Sequence, residues 1–271
     1  MRFDFKNPPM CGTCEILPGM RHRHRGDTEE KKEKHMEKRK RPSARVAGIA
    51  LVSYFALGAL LFLPPAPAAP AKNSADETET GVASVYVDAG HGGFDTGAIG
   101  YLSDGSELPE KELDLWMALA VGERLSEKGC RVTYARADDV RLTYTNSRDE
   151  ILARRAAAKE AGASLLLSLH ANAYAGEGRA FGARVYYNPK NKQAAALGAR
   201  LAAAITEETG ELVGRACRAV PDGSYLVLAD ESQPAVLVEV GFLSDPEELR
   251  LLSDAEYRRR MAAAIASALA P

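Results

Sequence analysis

The sequence predicts an α/β fold: a single domain over residues 82–271, built on a mostly parallel, twisted sheet of about six strands flanked by helices and preceded by an N-terminal membrane helix. Three observations predict it. Short apolar runs alternate with stretches of helical periodicity; the alternation starts only after residue 81; and an uncharged apolar run of membrane length lies ahead of it.

The head comes first. Residues 1–45 hold 13 Lys/Arg and 7 Asp/Glu, and from chain totals of 35 and 37 this leaves 22 and 30 for the rest. A basic head on an acidic body argues against nucleic acid as a partner of the body. Residues 46–63 read VAGIALVSYFALGALLFL, 18 residues without a charge. That length suits a transmembrane helix or the core of a signal peptide. KKEKHMEKRKRPSAR stands before it, so the positive-inside rule keeps 1–45 in the cytoplasm and exports everything beyond Leu63. The reading is an uncleaved signal anchor at the cell membrane, with the domain outside the cytoplasm. The small-residue patterns Ala66-Pro67-Ala68 and Ala69-Pro70-Ala71, and a start at Met36, would instead give a secreted or wall-located protein. Residues 64–81, rich in Pro, Ala and acids, form a linker with little to bury.

Cysteines divide by compartment. Cys11 and Cys14 form a lone CGTC in the head, followed irregularly by His22 and His24. With no second pair this reads as tail rather than metal clip. Cys130 and Cys217 lie in the exported body, where a disulfide is permitted and buried thiols are the alternative.

Within the domain, apolar runs at 84–88, 130–135, 164–169, 183–187, 224–228 and 235–240 read as strands. Helices are expected at 109–128, where Leu113, Trp116, Met117 and Ala120 share a face, and at 146–161, 193–208 and 255–268. Strands spaced by such helices make βα units, whose ligands gather at the carboxyl ends of the strands.

Both histidines of the body, His91 in VYVDAGHGG and His170 in LLLSLHANA, follow a strand. Neutral imidazole is a common zinc ligand, and a catalytic zinc site uses about three protein ligands with one position left open. Glu110, after Pro109 at a helix start, is the third donor, with Glu107 and Glu112 as nearby competitors. Glu239 interrupts the apolar strand PAVLVEV. A carboxylate there is costly unless it is paired or faces a polar cavity, so beside a metal it reads as a general base.

HGGFDTGAIG, PEKELDL, SLHANA and PAVLVEVGFLSDPEE, in that order across the domain, resemble the zinc-dependent N-acetylmuramoyl-L-alanine amidases of the type-3 class. The resemblance covers the exported part and none of the first 80 residues. It implies a twisted, largely parallel sheet with flanking helices. It also implies a Zn2+ cofactor on His91, Glu110 and His170, and a catalytic glutamate at Glu239. The implied reaction cleaves the amide between the lactyl group of N-acetylmuramic acid and L-alanine in peptidoglycan. Asp88 and Asp95 are expected to hold the glycine loop, and Asn172 to form a turn or touch substrate. Some relatives insert a helix that blocks the zinc; the 179–184 connection is too short for one, so control by location or a protein activator is expected. An anchor with a bare amidase domain is similar to the spore-cortex amidases. The rival readings are another zinc hydrolase, such as a peptidase acting on stem peptides, and a non-catalytic wall-binding module.

Overall fold

The computed structural model describes residues 81–143 and 146–270. The basic segment 1–45, the apolar run 46–63 and the 64–81 linker, apart from its last residue, lie outside the described residues. Among those described, no helix is long and apolar enough to cross a membrane.

β1 (Ser84–Ala89) is buried along its whole length, as a strand covered on both faces must be. A small antiparallel hairpin, β2 (Ile99–Tyr101) and β3 (Glu107–Pro109), leads into α1 (Glu110–Glu127) and β4 (Arg131–Tyr134). There follow α2 (Ser147–Glu160), β5 (Leu165–Asn172), β6 (Arg184–Tyr187), α3 (Lys192–Val213) and β7 (Arg218–Pro221). β8 (Ala235–Phe242), α4 (Pro246–Ser253) and α5 (Ala255–Leu269) end the domain. Side-chain caps start four of the helices: Asn146, Asn191, Asp245 and Asp254 each accept from a backbone N–H three residues on. α1 instead begins after Pro109, with no side-chain cap.

The main sheet has six strands in the order β4-β1-β5-β8-β6-β7. β4, β1, β5 and β8 run parallel; β6 is antiparallel to β8, and β7 follows β6. One face (Val85, Val87, Leu167, Val236, Val238) packs with α1, α3 and α5. The other (Tyr86, Leu166, Tyr186, Leu237) is covered by α2 and a 3-10 turn at Leu226–Leu228. From β1 the chain crosses to β4 on one side and then to β5 on the other. The order therefore reverses at β1, and a crevice opens at the carboxyl ends of β1 and β5, the usual ligand position in such sheets.

The expected α/β domain and its six-stranded sheet are present, with one strand reassigned. The run 224–228 forms the 3-10 turn, because the chain must leave edge strand β7 and pass under the sheet to reach β8. Val227 and Leu228 are buried in that passage, which explains their apolar character. The sixth strand is β7, whose largely exposed RAVP shows no apolar alternation and ends in proline, as an edge strand tolerates. The short hairpin and α4 also go beyond the periodicity. α4 was marked only by its cap, Asp245-Pro246-Glu247-Glu248. Cys130 and Cys217 are buried free thiols, so no disulfide joins them.

Candidate metal centre

β1 ends in a turn that delivers His91 to the crevice. His91 has φ 55°, the one non-glycine residue in the left-handed region among those described. Such a conformation persists only where the surroundings impose it. Here two buried guanidiniums do so by gripping the turn's carbonyls. Arg154 donates to Ala89 O and, at 2.8 Å, to His91 O. Arg136 donates to Ala89 O at 3.2 Å, Gly90 O at 2.6 Å and Lys111 O at 2.8 Å. Gly90 has no side chain for a packing reason: a Cβ there would stand 2.2 Å from the His170 ring.

His170 sits near the end of β5, and its ring meets that of His91 edge-on with centroids 5.0 Å apart. Between them lies Glu110, the first residue of α1. Its Oε1 is 3.1 Å from His91 Nε2 and 3.0 Å from His170 Nδ1. Oε2 accepts from Ala98 N at 2.9 Å. Burial opposes ionisation of Glu110, but the hydrogen bonds with His170 and His91 outweigh it and bring its pKa down to about 2. Asp95 holds the other side of His91, 3.1 Å from Nδ1, and also accepts from Gly97 N.

Glu239 on β8 lies beside His170 in register. Its Oε2 is buried and has no hydrogen-bond partner among the described residues. Burial raises its pKa above the ordinary glutamate value, with the His170 and His91 charges working the other way. Glu239 faces a cavity of about 340 Å³, bounded by the His/Glu cluster and by Ile151, Tyr225 and Leu237. A wider hollow of about 480 Å³ lies between the 174–180 loop and residues 244–247. No helix interrupts residues 173–183, in keeping with the short connection read from the sequence.

The four expected residues, His91, Glu110, His170 and Glu239, thus converge from four elements. Glu107 and Glu112 stay outside the cluster, Glu107 exposed on β3 and Glu112 half-buried on α1. Asn172 serves the strand end, its carbonyl accepting from Leu243 N. Asp88 is tied to Arg154 at 2.6 Å and accepts from Ser168 Oγ at 2.8 Å, so with Asp95 it secures the loop. Periodicity missed Asp114. It joins His91, Glu110 and His170 in a group whose donor atoms all lie within 4.8 Å of one another. Its signal was an acid at i+4 from Glu110, next to Leu113 on the apolar face of α1.

Two imidazoles and a carboxylate meeting at one point, with a cavity alongside, are the donor set of a metal-dependent hydrolase. The family model described as N-acetylmuramoyl-L-alanine amidase matches residues 85–271. The chain belongs to this family. The germination-specific N-acetylmuramoyl-L-alanine amidase of Bacillus subtilis is 31% identical over 190 residues, covering 67% of this chain and 76% of the relative. Among solved structures, the CwlD amidase of Clostridioides difficile, in complex with the GerS lipoprotein, superposes with TM-score 0.59 at 29% identity. That match covers 68% of this chain and 95% of the other. AmiC2 of Nostoc punctiforme, also an N-acetylmuramoyl-L-alanine amidase, gives 0.58 at 27% identity over 69% of this chain and 94% of its own. The amidase is therefore a peptidoglycan hydrolase that cleaves the bond between the lactyl group of N-acetylmuramic acid and L-alanine.

Proposed function

We propose that the amidase works with zinc held by His91, Glu110 and His170, and that Glu239 is its general base. The observation behind this reading is the shared oxygen: Glu110 Oε1 lies 3.0–3.1 Å from a nitrogen of each histidine, with the cavity alongside. Two borderline nitrogen donors and one carboxylate oxygen suit zinc, and three protein ligands leave a position open. When bound at such a site, zinc polarises a carbonyl and brings the pKa of water from about 15.7 to about 7.

The remaining work falls to the chain. Glu239 Oε2, unpaired and facing the cavity, accepts the proton of the attacking water. It then returns that proton to the alanine nitrogen as the amide breaks. Its raised pKa suits both halves of the cycle, since a buried glutamate holds the proton less reluctantly than an exposed one. Asp95 and the arginine grip fix the His91 ring before substrate arrives, so no ligand need be reoriented.

The purified full chain, incubated with peptidoglycan, is expected to release stem peptides with a free L-alanine amino terminus and leave the glycan intact, as read by mass spectrometry. Dialysis against a chelator should abolish release, and added zinc should restore it. Cleavage inside the stem would replace this reading with a peptidase, and activity indifferent to chelation would remove the metal from it.

We further propose that residues 46–63 anchor the amidase with its catalytic domain outside the cytoplasm. The support is the uncharged run and the basic segment before it. Protease added to intact protoplasts should digest the domain; full protection would contradict the topology.

A further inference from the structure

Asp114 is 1% exposed, and neither carboxylate oxygen has a hydrogen-bond partner among the described residues. This contrasts with the other acids around it. Glu110 accepts from two backbone amides and contacts both histidines. Asp88 has Arg154 and Ser168. Glu150 has Arg141 and Arg154. Arg136 exerts an attractive charge on Asp114, yet the guanidinium's hydrogen bonds run to the carbonyls of Ala89, Gly90, Lys111 and Asp138. A carboxylate sealed from water with no donor is costly to ionise, and proteins rarely keep one without a cation to balance it.

Geometry supplies the place for that cation. Asp114 is one helical turn below Glu110 on α1, so both side chains rise on the same face. Its Oδ2 lies 3.8 Å from His170 Nδ1, the atom that also meets Glu110. With Glu110 alone, a divalent ion held by two neutral imidazoles keeps one uncompensated positive charge. With Asp114 the charges sum to zero.

We propose that Asp114 is the counter-charge of the metal centre, the second carboxylate that neutralises the bound divalent ion and raises the affinity for it. The inference rests on the zinc reading above and adds a residue to it. Asp114 acts here through the ion, so it is a positioning and charge-balancing residue. Without the ion, Asp114 and Glu110 are two buried acids within 4.8 Å of each other, and the metal-free protein bears the strain of that arrangement.

Asp114→Asn keeps the shape and removes the charge. Zinc affinity of the full chain, measured by competition with a chromophoric chelator, should fall about 10–100-fold. The melting temperature of the metal-free variant should equal or exceed that of the metal-free wild type, because a repulsion has gone. A merely structural aspartate would behave differently, lowering stability in both states. Affinity within twofold of wild type overturns the proposal. So does a variant that melts lower without metal or fails to fold, since the proposal requires the metal-free form to tolerate the change. A wild-type chain that binds no zinc overturns the metal reading and this inference together. Zinc binding unchanged by the substitution overturns this inference alone.

Discussion

Glu239→Gln is expected to lower kcat on peptidoglycan by about 10²–10⁴-fold, the usual worth of a positioned general base. Glutamine has almost the same shape, so the floor of the cavity and the β5–β8 register beside His170 are retained. What disappears is the one unpaired basic oxygen that faces the cavity from β8. The metal donors are untouched, so zinc content by elemental analysis should match wild type. The melting temperature should stay level or rise, because a buried acid whose ionisation is disfavoured has been removed. Steady-state kinetics with zinc quantified in the same samples decides the matter. A variant retaining more than about a tenth of wild-type kcat would assign the proton transfer to another group.

Arg154→Leu is expected to destabilise the domain by about 3–5 kcal/mol, the loss seen when one partner of a buried ion pair is removed. The substitution strands Asp88 and Glu150, which contact Arg154 at 2.6 and 2.7 Å and are both buried. It also frees the carbonyls of Ala89 and His91, so the left-handed turn loses half of its grip. Chemical denaturation of the full chain at neutral pH measures the loss, and a change below about 1 kcal/mol would contradict the argument. The same pair sets a pH dependence. Burial works against ionisation of Asp88, but Arg154 outweighs it and holds the carboxyl below the ordinary value of 3.8. A depressed folded-state pKa contributes stability that is fully present above the unfolded value and lost as pH falls through the folded one. Wild-type stability should therefore hold down to near pH 3.8 on this account and decline below it, with a shallower decline in Arg154→Leu.

The chemistry that was legible in the sequence stood out against its surroundings. His91 and His170 are the body's two histidines, and each follows a strand. Glu239 is a charge within an apolar run, and Glu110 follows a proline at a helix start. Each departs from what its own element would otherwise contain, so local pattern reveals it. Arg154 does not stand out. In ARRAAAKE it cannot be told from Arg155, yet Arg154 is buried at the turn while Arg155 reaches Leu226 O and Asp230 at a part-buried position. Only the packing of α2 on the sheet decides which arginine points inward. Asp114 was hidden for a related reason. An acid on the first turns of a helix is commonly there to complement the dipole, and nothing local distinguishes that use from burial beneath a metal site.

Alone, the sequence determined the α/β class, five of the six sheet strands, four helices and the four residues of the proposed site. These follow from apolar periodicity, from turn and cap chemistry and from residues out of place in their element, all readable within about a dozen positions. Tertiary structure decided the strand order, the fate of 224–228, the edge strand β7 and the arginine grip on the His91 turn. It also decided that Asp114 belongs with His91, Glu110 and His170. Those depend on contacts between distant segments: His170 meets Glu110 across 60 positions and Arg154 meets Asp88 across 66. The reversal of strand order at β1 brings both pairs together, because it sends α1 to one face and α2 to the other while their ends share a single crevice.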